Sequence, residues 1–342
     1  MGRKLGAVLI GLGVLLIVLG LMMKFYAYDR LAVAPLNQKS VSYSEATGAT
    51  IFSIADQAEV TKDLLTTVNV VGDVEAGKAA TEEAGDQVNV WEKVTYTDEP
   101  TFDVDSGEPP LSGSHQRIAF DAHTGVAVEC CDTYFAGGAD LETNEEDRDY
   151  DVAFEGQLVK FPFNTQKRSY DYFDTTLGEG VPMQYQGEES LEGLNTYMFE
   201  SVIPPTEYAT LTAPASIFGI DEEGDVDLAR VYSNTRTLWI EPETGVIMRS
   251  REDVDTFAEY DGERVATLTQ ALSEFPESQI RRNVEDYRSK SVLLKAARTW
   301  FPWVGGIVGL LALLAGLLLT ARSRDRVAPT HAATSHRSGA TV

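Results

Sequence analysis

Histidine and cysteine are scarce in this chain of 342 residues, which has four histidines and two cysteines. His115 and His123 are the only histidines before the last dozen residues, and Cys130 and Cys131 are neighbours. A disulfide framework and a zinc site both need several spaced ligands, so neither is expected. Neither histidine lies in a nucleophile-elbow motif, and no glycine loop suited to phosphate or cofactor fingerprint occurs. The expectation is a non-enzymatic protein without catalytic residues, metal or cofactor. Positive charge is also short: 28 Lys and Arg stand against 53 Asp and Glu, a net charge of −25. Such a surface repels phosphate backbones, which excludes nucleic acid as a partner.

Two uncharged apolar stretches stand at the ends. Leu5–Met23 and Trp303–Thr320 contain no Asp, Glu, Lys or Arg. As helices they reach roughly 27–29 Å, about the thickness of a bilayer's hydrocarbon core. Arg3 and Lys4 precede the first, and Arg322, Arg324 and Arg326 follow the second. Short basic flanks stay in the cytoplasm, so both termini are expected inside and residues of about 25–299 outside. Phe25, Tyr26, Tyr28, Trp300, Phe301 and Trp303 supply interfacial aromatics at the outer ends. Ala32-Val33-Ala34 also reads as a small-x-small cleavage site, but Lys24 interrupts the path to it and Pro35 would follow the cut. An uncleaved anchor is therefore expected. Gly6, Gly13 and Gly20 recur every seven positions, while Gly305, Gly309, Ala312 and Gly316 form a second small-residue stripe. Such stripes let helix backbones approach closely, either within one chain or by self-association with a second copy.

All but one acidic residue, Asp325, lie between the spans, leaving 21 basic against 52 acidic residues there and a net of about −31. The domains read as an anchor over 1–24, an extracytoplasmic β domain over 25–277, a juxtamembrane helix over 278–300, a second span over 301–321 and a disordered cytoplasmic tail over 322–342. Short runs bounded by turn residues dominate the exterior: Ile51–Ala55, Thr66–Val71, Val88–Thr97, Arg117–Phe120, Val126–Cys130, Gln157–Phe163, Arg168–Phe173, Thr196–Val202, Arg230–Trp239, Val246–Ser250 and Arg264–Ala271. The fold class is mainly β, α+β with the helices included, built on antiparallel sheet. Gln57–Leu65 is expected to hold a short helical turn, and Ser278–Arg298 a helix with Ser278 as N-cap and Pro302 bending the junction beyond.

Two hairpins look alike. Ile118–Val128 and Leu238–Met248 each run through an acid (Asp121, Glu241) to a Thr-Gly pair (Thr124-Gly125, Thr244-Gly245) that reverses the chain. The glycine supplies positive φ and the acid accepts turn N–H groups. Two similar sheet units, over 40–150 and 157–275, are expected from this. Cys130 and Cys131 could close a strained vicinal disulfide, and free thiols or bonds to another copy remain open. The acidic runs Asp103–Glu108 and Asp221–Asp227 place carboxylates beside glycine but complete no EF-hand pattern, so at most weak calcium binding is expected.

Several of these pieces carry a resemblance. They are the opening Gly2-Arg-Lys-Leu-Gly6, the stretch Lys24–Pro35, Phe120–Cys131, Lys160-Phe-Pro-Phe163 and Tyr170–Asp174. Together they resemble an actinobacterial family of two-span envelope proteins of unknown function, labelled the porin PorA family. The resemblance implies a pore across a mycolate-type envelope and assigns no residue a role. The layout is also similar to that of class B scavenger receptors. The leading expectation is an envelope protein whose β domain binds or passes an apolar ligand such as a membrane lipid. The alternatives are an oligomeric porin-like channel and an acidic scaffold for envelope partners.

Overall fold

The computed structural model describes residues 2–138 and 144–324; of the expected tail, everything from 325 lies outside them. The chain forms two compact units, one holding residues up to Leu31 and from Leu293 onward, the other Ala32–Val292.

The first unit is built on two long helices. Helix α1 (Gly2–Met22) continues through a wide π turn at Met23–Ala27 into the short α2 (Tyr28–Leu31). At the other end α5 (Phe301–Arg324) follows a second π turn at Ala296–Trp300. A proline ring collides with the carbonyl four residues back, and the five-residue spacing of a π turn relieves this just before Pro302. The apolar windows have mean hydropathies of 2.8 and 2.4, and only 17% and 11% of their residues are buried. These helices leave their apolar surface uncovered by protein, as membrane spans do. The glycine stripes face each other. A Cβ at Gly6 would lie 2.8 Å from the Gly316 carbonyl oxygen, one at Gly13 2.6 Å from that of Gly309, and one at Gly20 3.3 Å from Pro302 Cα. The helices are thus antiparallel in a constant register of seven residues, with bare backbone at each crossing. Ala312 lies half-buried between Gly309 and Gly316 on the same helix.

The second unit is a curled antiparallel sheet of eleven strands: β1 (Lys39–Ser53), β2 (Ala58–Gly72), β3 (Val88–Asp98), β4 (Ser112–Asp121), β5 (Tyr134–Gly138), β6 (Tyr170–Asp174), β7 (Glu179–Leu191), β8 (Leu194–Pro214), β9 (Asp225–Glu241), β10 (Val246–Tyr260) and β11 (Glu263–Glu274). Their order is β5-β4-β3-β2-β1-β11-β10-β9-β8-β7-β6. The chain therefore makes two meanders, β1–β5 and β6–β11, sewn together where β1 pairs with β11. Bulges curl these long strands. One sits in β8 between Ile203 and Thr206, where Pro204 and Pro205 have no N–H to give the ladder.

Each meander has its own core. Val70, Trp91, Ile118 and Phe120 pack against Leu158 and Phe173, while Met183, Phe199, Leu238 and Ile240 pack against Phe161 and Tyr170. On the outer faces, α3 (Val74–Ala84) lays Ala76 and Ala80 over Val88, Val90 and Ala119. Likewise α4 (Glu277–Lys295) lays Ile280, Val284 and Tyr287 over Trp239 and Met248. That i, i+4, i+7 spacing is one helical face.

Several local expectations are corrected. Gln57–Leu65 is no helix: Gln57 closes a tight turn at φ 51° and the rest is β2, whose Val60, Thr61 and Thr66–Val68 suit a pleated strand. Val126–Cys130 and Gln157–Phe163 are not strands. They form isolated bridges, Val126 to Gln157 among them, and their backbone bonds are divided between turns (Phe161 to Gly245, Phe163 to His123) and single contacts with β4 and β6 (Val128 to Ala119, Gln157 to Asp171). Strands β5 and β7 and helix α3 were not foreseen; α3 is short, Ala-rich and weakly patterned. Helix α4 begins at Glu277 without Ser278 as its cap, because Pro276 ends the preceding segment and its carbonyl accepts from Gln279 and Ile280.

Candidate functional site

The look-alike hairpin turns share one geometry, and a third turn shares it too. In Asp121–Gly125, Asp174–Gly178 and Glu241–Gly245 the glycine N–H donates to the carbonyl four residues back at 2.8 Å. The acid side chain accepts the N–H groups two and three residues on: His123 and Thr124 at Asp121, Thr176 and Leu177 at Asp174, Glu243 and Thr244 at Glu241. Thr124 and Thr244 add their hydroxyls to the same acids. Each glycine sits at φ 72–73°, where a side chain is strained.

One segment between β5 and β6 clasps the first and last of these turns. Phe161 N donates to Gly245 O, Phe163 N to His123 O, and Thr165 N to Pro242 O, at 2.7–3.0 Å. Lys160, buried within the clasp, donates from Nζ to Phe161 O at 2.6 Å and lies 4.0 Å from the centre of the Phe163 ring. Burial depresses its pKa to about 7, with Asp121 opposing weakly. These residues stiffen one end of the sheet and present nothing to a substrate.

The other candidates are structural in place. Cys130 and Cys131 are joined in a disulfide beside α3, packed near Val88, Val90 and Ala119. His115 lies 3.1 Å from Glu92 on the same outer face, where Arg117 bridges Glu92 and Asp73. Burial opposes the Glu92 charge, but His115 and Arg117 hold its pKa below the usual carboxylate range. His123 Nδ1 lies 2.9 Å from the Ala32 carbonyl oxygen. Asp103 accepts from the N–H of Asp105 within its own loop, and no cluster able to hold a metal occurs among the described residues.

The inner face of β9 shows a different pattern. Its inward positions read Val226, Leu228, Arg230, Tyr232, Asn234, Arg236, Leu238 and Ile240, a polar belt between apolar pairs. Arg236 reaches Glu252 of β10 at 3.0 Å and Asp174 of β6 at 3.2 Å. Tyr232 donates to Asp174 at 3.1 Å, and Asn234 donates to Tyr232 at 2.9 Å. Lys93 enters from β3, with Arg236 and Glu252 acting on its charge. Burial lowers its pKa to about 8. For Arg236 burial works against the charge, but Glu252 and Asp174 outweigh it and push the pKa above its usual value. Burial also raises Tyr172 to about 12. Glu252 keeps 30% of its side-chain surface accessible although desolvation is the largest influence on it. Lys93 and Tyr172 are likewise half-buried, with desolvation the largest influence on each. Sequence reading missed this belt, though polar residues at every second position of a strand with apolar ends are a visible signal.

A family model described as Porin PorA matches residues 5–318. This chain belongs to the Porin PorA family. Two relatives carry the name Porin PorA. One, from Corynebacterium resistens, is 27% identical over 290 residues, covering 65% of this chain and 70% of the relative. The other, from Corynebacterium amycolatum, is 26% identical over a 396-residue alignment that covers 94% of this chain and all of the relative. The family match reaches from the first apolar helix almost to the end of the last, so it takes in the β unit and both helices together.

Proposed function

We propose that this chain is a non-enzymatic, porin-like membrane protein of the cell envelope whose β domain admits small polar solutes to its interior. The observation that carries this is the belt of Lys93, Arg230, Tyr232, Asn234 and Arg236 with Asp174 and Glu252, charged and polar groups gathered on the inner face of the curled sheet, of which Lys93, Arg230, Arg236 and Glu252 keep partial exposure. The names of the relatives favour the same reading. The helix pair serves as anchor, spanning the plasma membrane twice with both termini in the cytoplasm and the β domain outside. It has no pore wall of its own, because its glycine faces are closed on each other and the outward side chains are apolar. Conduction across the membrane would need several copies, associating through the remaining helix surface.

The lipid reading stands second. Apolar rows flank the belt, but Phe120, Phe161, Phe199, Met183, Leu238 and Ile240 already fill one end to 0–2% exposure, and an acyl chain would have to displace them. Planar-bilayer recording of the purified full-length protein tests the first reading, with stepwise conductance expected. Silent bilayers together with a stoichiometric lipid adduct in native mass spectrometry would replace it with the second.

A further inference from the structure

We propose that the polar belt is a binding site for a small oxyanion, a phosphate or carboxylate group, held by donors from β3, β8 and β9. This deepens the reading of the interior as a place for polar solutes by naming their class.

The belt carries donors that the protein leaves unused. Ser201 of β8 and Asn234 of β9 are each 2% exposed, yet Ser201 Oγ and Asn234 Oδ1 have no hydrogen-bond partner among the described residues. Arg236 Nε is likewise unpartnered, although the other end of the same guanidinium holds Glu252 and Asp174. Across the interior, three successive inward positions of β3 repeat the pattern. Trp91 Nε1 and Thr95 Oγ1 are buried and unpartnered, and the Lys93 ammonium between them makes no ion pair within 4 Å among the described residues. Buried polar atoms are almost always satisfied, and an orphaned one costs about 1–3 kcal/mol. Five such atoms gather on two facing walls, with the Lys93 ammonium among them.

Their chemistry selects the ligand. Trp91, Lys93, Ser201, Thr95 and Arg236 all offer N–H or O–H, and Asn234 Oδ1 alone can only accept. A donor surplus calls for an acceptor-rich guest. Charge points the same way. The belt holds Lys93, Arg230 and Arg236 against Asp174 and Glu252, a small positive excess within an exterior of 21 basic and 52 acidic residues. Asp174 and Glu252 are both engaged with Arg236 and Tyr232 or Asn234, which leaves Lys93 and Arg230 without an ion pair within 4 Å among the described residues. Charge-assisted bonds from such a group to an oxyanion are the strong kind.

The test is isothermal titration calorimetry on full-length protein in detergent, with inorganic phosphate in one arm and monomeric dihexanoyl phosphatidylglycerol in the other. Saturable binding of phosphate is expected. Lys93→Met should weaken it at least tenfold while raising the melting temperature, because an unpaired buried charge is removed; Lys93→Arg should stay within about threefold of wild type. Ser201→Ala should weaken binding by about two- to fivefold. Binding of the lipid alone, lost in Lys93→Met, would keep the site and identify the oxyanion as a headgroup. No binding in either arm, or binding that Lys93→Met leaves unchanged, would overturn the proposal. Because calorimetry needs no conduction, a protein that binds phosphate but stays silent in bilayers separates this site from the porin-like reading.

Discussion

The turns at Gly245 and Gly178 have the same backbone but opposite surroundings. Both glycines sit at φ 72°, and both close an acid-headed loop by an identical N–H bond. Gly245 lies directly under the clasp, where an added Cβ would overlap the Phe161 carbonyl oxygen; at Gly178 nothing lies within 4 Å. Gly125 resembles Gly245, with Lys160 O 2.6 Å from its would-be Cβ. One local motif thus serves two purposes. At Gly178 it only turns the chain, whereas at Gly125 and Gly245 it also makes a flat seat on which another segment closes the sheet's end.

Breaking that contrast should give the largest effect. Gly245→Ala combines strained φ with a backbone collision and is expected to cost more than about 3 kcal/mol, with Gly125→Ala close behind. Thermal unfolding of the full-length protein by circular dichroism checks this. Equal, small losses at Gly245 and Gly178 would mean the clasp does not seat on the turn.

The acids sharpen the comparison. Glu241 is 1% exposed and accepts from Glu243 N, Thr244 N, Thr244 Oγ1 and Ser291 Oγ of α4. Asp121 makes similar turn bonds at a half-buried site and has no helix partner among the described residues. Glu241→Ala strands several buried donors and should cost about 3 kcal/mol; Asp121→Ala should cost about 1 kcal/mol. Urea unfolding of the two variants measures the gap, and a reversed order would show that the Ser291 bond carries no weight.

The same pair shows how far the sequence could be read. Acid, Thr-Gly and flanking apolar runs identified the first and last turns because the motif is local. The Asp174–Gly178 turn escaped because its threonine and glycine are separated by Leu177, although its bonds are the same. The spans and most strands were legible from hydropathy and β-branched runs. The clasp was not, since Gln157–Phe163 is apolar enough to read as a strand and only its distant partners, Gly245 and His123, make it a crossover. The interior belt failed for a like reason. Whether Arg236 is inside depends on the register of β9 against β8 and β10, which spacing within one strand does not fix.

Lys160 tests the clasp through its charge. Its pKa falls from the ordinary 10.5 to about 7 on folding. Between those values the unfolded chain holds a proton that the folded chain lacks, so stability rises with pH across this window. Below about 7 both states are protonated and the whole penalty remains. Lys160→Met should therefore stabilise by on the order of 2 kcal/mol at pH 7 and flatten the slope up to about pH 10. Lys93, shifted to about 8, leaves a weaker slope of the same sign in that variant. A loss of stability, or an unchanged slope, would show that Lys160 is held charged in the fold.

Gly178→Ala should have the smallest effect, about 1 kcal/mol, because only the backbone preference is lost. It is also the control that gives the others meaning. The difference between Gly245→Ala and Gly178→Ala subtracts the shared φ strain and leaves the contribution of the Phe161 seat. If Gly178→Ala proved as damaging as Gly245→Ala, the turn's own geometry would account for both, and the clasp would be a passenger on a motif that is rigid without it.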